Sequence, residues 1–79
     1  MLKSIYTKES DALRNWLKSK RNEKGLSQRK LASRLDIHHS IIGKIESGER
    51  QVNVVELITI CKELDINPIE IIKELISKQ

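Results

Sequence analysis

Seventy-nine residues with one cysteine make a single small domain, without an internal disulfide and with a core too modest for a substantial pocket. No apolar run approaches the roughly 20 residues of a membrane span and no signal peptide is visible, so a soluble cytoplasmic protein with no membrane association is expected. The net charge is +4, with 12 Lys or Arg against 6 Asp or Glu in residues 1–50 and 3 against 5 in residues 51–79. A basic front and a mildly acidic back suit a module that turns one face to a polyanion. One Trp, one Tyr and no Phe leave almost no stacking platform for single strands, which makes duplex DNA the better polyanion.

Residues Met1 to Thr7, with Leu2, Ile5 and Tyr6, precede the helical pattern, and the sequence does not decide whether they brace the last helix or a dimer. Every later segment has helical spacing, so an all-α chain is expected. The first helix runs from about Lys8 to Lys24, with Leu13, Trp16, Leu17 and Arg21 on successive turns and Gly25 as its left-handed end. Trp16 reads as core rather than as a ligand-stacking ring. The second helix starts at Ser27, an N-cap, and turns Leu31 and Leu35 inward, with Ala32 permitting close approach. Asp36 makes the turn, and the third helix runs from about His38 to Ser47, Ile42 and Ile45 inward, until Gly48 stops it. His38 stands where a better N-cap is usual.

The fourth helix begins at Asn53, with Glu56 at capping-box spacing and Val52 and Leu57 as a hydrophobic staple. Cys61, among Leu57, Ile58 and Leu64, reads as a small buried hydrophobe. The fifth repeats the device over about residues 68–77: Asn67 as cap, Pro68 first, Glu70 closing the box, and Ile66 stapled to Ile71. Ile69, Ile71, Ile72, Leu75 and Ile76 are more apolar surface than one packed face needs. Symmetric dimerisation through Ile69, Ile72, Leu75 and Ile76 is therefore expected, with complete use by the chain's own core as the alternative.

Two short helices around Asp36, over about residues 27–47, have the pattern of a helix-turn-helix, whose second helix can enter a DNA major groove. At Gln28-x-x-x-Ala32, at Ser40-Ile41-Ile42-Gly43-Lys44-Ile45-Glu46 and at Gly48-x-Arg50 the chain resembles the XRE family, the Cro/C1-type regulators that include lambdoid phage repressors. The resemblance covers residues 10 to about 72. It implies a compact five-helix domain of the lambda-repressor-like type, spanning residues 1–79, that binds a pseudo-palindromic operator as a homodimer.

The DNA-facing residues expected are Gln28, in the first turn of the second helix; His39 and Ser40, which match positions reaching base edges; Lys44, one turn beyond Ser40; and Arg50, which matches a phosphate clamp. For Lys44 and Arg50 ordinary surface charge is the alternative. In similar repressors the positions of Arg21 and Glu46 form a buried ion pair, and Arg21 can also reach a phosphate. Gly43 either lets the backbone close on DNA or is simply tolerated. Adjacent helical residues point about 100° apart, so His38 and His39 are not expected to share a metal, and neither metal nor cofactor is expected. No nucleophile–base pair, carboxylate cluster or phosphate loop supports an enzyme. The expectation is a regulator, most simply a repressor by operator occupancy; the alternative is an antitoxin or similar module that engages a second small protein through its last helix.

Overall fold

The structure is a computed structural model that describes residues 7–78, five helices with no strand among them. The N-terminal segment considered above as a brace falls, at residues 1–6, outside the described residues.

Helix α1 (Lys8–Glu23) starts on Thr7, whose Oγ1 accepts the Ser10 N–H at 3.1 Å. Glu9 and Asp11 in its first turn and Lys20 and Arg21 in its last complement the helix dipole. Helix α2 (Gln28–Leu35) starts on Ser27, whose Oγ accepts the Lys30 N–H at 3.0 Å, and buries Leu31 and Ala32. Leu35 is only half-buried, at the margin of the core. Helix α3 (His39–Ser47) buries Ile42 and Ile45.

Helix α4 (Val54–Leu64) carries both bonds of its capping box: Asn53 Oδ1 accepts the Glu56 N–H at 2.8 Å, and Glu56 Oε1 accepts the Asn53 N–H at 3.0 Å. It buries Leu57, Ile60, Leu64 and Cys61. Cys61 is fully enclosed and burial pushes its thiol pKa up, which suits an inert packing residue.

Helix α5 (Ile69–Ser77) corrects one expectation. Asn67 Oδ1 accepts the Ile69 N–H at 2.9 Å, but Glu70 does not close a box. Its carboxylate crosses to α1, accepting the Trp16 indole N–H at 3.0 Å and pairing with Lys20 at 3.3 Å. The nearly buried indole N–H needs an acceptor, and together with the Lys20 ammonium it offers the Glu70 carboxylate stronger donors than the solvated backbone N–H at the start of α5.

Four helices end in the same way. A residue of positive φ follows, directly after α2, α3 and α4 and one residue later, beyond Lys24, after α1, and the next N–H reaches back to a carbonyl in the last turn: Leu26 to Arg21, Ile37 to Ala32, Glu49 to Lys44 and Ile66 to Cys61, at 2.9–3.2 Å. Gly25 and Gly48 serve two of these ends, Asp36 and Asp65 the others. The role of Asp65 is not apparent in the sequence pattern. Helices α2 and α3 pack on each other, α1 lies against α3 and α5, and α2 touches α4. This arrangement keeps the outer edge of α3 uncovered and anchors α5 through Ile71, which is fully buried.

Candidate nucleic-acid interface

The geometry is built around one buried ion pair. Arg21 donates Nε–H to Glu46 Oε2 at 2.7 Å and Nη2–H to Glu46 Oε1 at 2.9 Å, while Nη1 donates to the Leu26 carbonyl at 2.7 Å. The two side chains are 8% and 6% exposed. So enclosed, and with all its nitrogens engaged, Arg21 is not placed to reach a phosphate. Burial favours the neutral form of Glu46, but hydrogen bonds from Arg21 and Gln28 and the charges of Arg21 and Lys18 outweigh it, and the carboxyl is held below its ordinary range. No buried side-chain N or O among the described residues lacks a partner, the condition under which a buried pair is tolerated. The network ties α1, the α1–α2 loop, α2 and α3 into one unit.

Gln28 belongs to that network. Its amide donates to Glu46 Oε1 at 2.9 Å, which commits one carboxamide proton to the protein. Its Oε1 lies 3.3 Å from where a Cβ on Gly43 would stand. Gly43 therefore leaves room for the Gln28 carboxamide, a role within the protein that its sequence context did not suggest.

The imidazole of His38, at the position where a better N-cap is usual, caps α3. Nδ1 accepts the Ser40 N–H at 3.1 Å and lies 2.9 Å from Ser40 Oγ. An Nδ1 that accepts a backbone N–H places the ring proton on Nε2, a tautomer inferred from this bond. Because His38 is extended (φ −72°, ψ 139°) rather than helical, the divergence of adjacent helical residues does not apply. The His38 and His39 rings stack with centroids 4.5 Å apart. Partial burial, Arg29 and His38 lower the pKa of His39. Arg29, in the first turn of α2, was not singled out from sequence; its place beside Gln28 in the motif was the available signal.

Ser40 and Lys44 are exposed one turn apart on α3, and His39 is half-buried beside them. The Lys44 carbonyl receives the N–H groups of Glu49 and Arg50, at 2.9 and 3.2 Å, and so fixes the chain leaving α3. Arg50 is not free surface charge. Its guanidinium grips the Glu56 carboxylate with Nη1 and Nη2 and also donates to the Gln51 carbonyl at 3.2 Å. That contact, with the Asn53 N–H, holds the Glu56 pKa down.

The residues assigned to a partner face divide. Ile69, Ile72 and Ile76 are 49%, 38% and 67% exposed, whereas Leu75 is half-buried and packs against the core. Leu75 therefore belongs to the domain's own packing, because the side of α5 that carries Ile71 turns it inward. Val54, Val55 and Ile58 of α4 are also exposed, which the sequence pattern did not indicate.

The Helix-turn-helix family model matches residues 17–71. Among solved structures, an XRE-family like protein from Pseudomonas syringae pv. tomato str. DC3000 is 28% identical over 90% of this chain and 87% of its own, with a TM-score of 0.81. The wild-type restriction-modification controller protein C.Esp1396I is 25% identical over 90% of this chain and 93% of its own, with a TM-score of 0.77. The same controller protein, as a tetramer in complex with its natural 35 base-pair operator, matches at 25% identity and a TM-score of 0.76, over 90% and 93% of the two chains. A comparison with curated proteins finds no match.

Proposed function

Since the chain belongs to the Cro/C1-type helix-turn-helix family, the XRE regulators, we propose that it is a double-stranded DNA-binding transcriptional regulator, working most simply as a repressor by occupying its operator as a two-fold dimer. One observation carries this reading. The outer edge of α3, with Ser40 and Lys44 exposed, is locked to the body of the domain by the enclosed Arg21–Glu46–Gln28 network. A rigid helix edge of polar and cationic side chains is what major-groove readout requires.

His39, Ser40 and Lys44 address base edges. Gln28, through its second carboxamide proton, and Arg50 address phosphates on either side, with Arg29 adding charge beside His39. The solved operator complex of the similar controller protein supports DNA as the partner and an oligomer as the bound form. Ile69, Ile72 and Ile76 supply the apolar surface for pairing.

Selection of bound sites from a random duplex library tests the whole reading. A pseudo-palindrome with half-sites about one helical turn apart is expected, with affinity falling steeply as salt rises. A library that returns no enriched site would remove sequence-specific regulation; enriched sites without two-fold symmetry would remove the dimer alone. Repression follows if the selected site, placed across a promoter, silences a reporter only when the protein is present.

A further inference from the structure

We propose that Glu56 is a positioning residue for the DNA contact: with the Gln51 carbonyl it holds the Arg50 guanidinium so that its Nε/Nη2 edge is the one left for a DNA phosphate. The inference rests on the reading of Arg50 as a phosphate contact. An arginine has five N–H protons. Here Nη1 spends its two on Glu56 Oε1 and the Gln51 carbonyl, both at 3.2 Å, and Nη2 spends one on Glu56 Oε2 at 2.5 Å. The Nε–H and the second Nη2–H have no partner among the described residues. These two run parallel in the guanidinium plane, a fork that fits a phosphate's two oxygens.

The holder is itself held. Glu56 sits in the first turn of α4, where its Oε1 also accepts the Asn53 N–H at 3.0 Å and its own N–H binds Asn53 Oδ1 at 2.8 Å. The Arg50 backbone is fixed by its N–H to the Lys44 carbonyl at 3.2 Å. Both ends of the arginine are thus ordered before any DNA arrives.

A carboxylate beside a phosphate contact also repels the DNA, so the sign has to be decided by size. Pre-ordering one long side chain is worth about 2- to 12-fold in affinity. Glu56 and a phosphate would lie on adjacent edges of one guanidinium that share Nη2, about 7 Å apart and just inside a Debye length, where repulsion screened through solvent is worth less than about twofold. Positioning outweighs repulsion.

Binding of a mixed-sequence duplex of about 30 base pairs, three helical turns, tests this, because a phosphate contact needs no operator. Glu56→Gln keeps the capping box, as Gln serves at that position, and removes the charged grip on Arg50. It is expected to weaken binding about 2- to 10-fold with a thermal melt close to wild type. Arg50→Ala weakens binding and lowers the salt slope by about one unit, and adding Glu56→Gln to it costs nothing more. Arg50→Lys keeps the charge without the fork, so it loses affinity while keeping the slope. This second variant reads the same fork if Glu56→Gln disturbs the fold. Binding by Glu56→Gln as tight as or tighter than wild type, an equal loss in the Arg50→Ala background, or full affinity in Arg50→Lys overturns the proposal. If Arg50→Ala binds like wild type, the phosphate role of Arg50 falls and the positioning role with it. If the wild-type protein binds no duplex, the DNA reading itself fails.

Discussion

The chain turns the same corner twice. Leu35-Asp36-Ile37 joins α2 to α3 and Leu64-Asp65-Ile66 joins α4 to α5, each with the aspartate at φ 57° or 55° and the isoleucine N–H reaching back to the last helical turn. The second helices are nevertheless opposite in character. Helix α3 shows Ser40 and Lys44 outward, while α5 shows Ile69, Ile72 and Ile76. The attachments differ as well, by a buried ion pair for α3 and by Ile71 with the Glu70–Trp16 bond for α5. The turn fixes a direction; the residues that follow decide whether the helix shows a polar or an apolar side outward.

The largest break in this comparison is Glu46→Ala. It strands the Arg21 charge in the interior and is expected to cost about 3–5 kcal/mol, lowering the melting temperature by more than about 10 °C in a circular-dichroism melt. A melt that matched wild type would refute a structural role for the pair. The same carboxyl titrates below its unfolded value, so its contribution is complete at neutral pH and is lost as pH falls below about 4.3. Glu46→Gln should flatten that acid loss.

At the second corner, Ile71→Ala removes the fully buried anchor of α5 and should cost about 2–5 kcal/mol. Ile72→Ala, at a half-exposed site, should stay within about 0.5 kcal/mol at low protein concentration while raising the dissociation constant of the dimer in sedimentation. If both variants melted alike, the division of α5 into an anchored and a free side would be wrong.

The turn itself should respond equally in both places. Asp36→Gly and Asp65→Gly each relieve a left-handed aspartate, and the gain is expected to exceed the added unfolded-state entropy, leaving a few tenths to about 1 kcal/mol of stabilisation in urea titrations. A fall in stability at either corner would show that its aspartate does more than turn. The smallest effect concerns His39, whose pKa is lowered in the free protein by partial burial, Arg29 and His38. A phosphate nearby raises it, so DNA affinity should increase as pH falls from 8 to 6, and His39→Gln should abolish the increase. An affinity flat over that range would place His39 away from the phosphates.

Local signals account for much of what the sequence disclosed. Ser27, Asn53, Gly25, Gly48 and Asp36 act through their own backbone neighbourhood, so the helix ends they set are legible without knowing what packs where. The spacing of Leu31, Ile42 and Ile45 identified the buried faces of α2 and α3 for the same reason. The polar side chains were less legible because their partners are distant in sequence. Glu70 left its expected box for Trp16, 54 positions away, and Gln28 and Gly43 meet only because α2 and α3 fold together. Leu75 and Ile76 are neighbours of equal hydrophobicity, and only the seating of α5 on α1 separates core from surface. The sequence by itself determined five helices, most of their ends and the edge that carries charge, since these follow from short-range periodicity and backbone geometry. Tertiary structure decided which polar groups are committed inside the protein and which remain for a partner, because each hydrogen-bond donor or acceptor goes to whichever group the packing brings within about 3 Å.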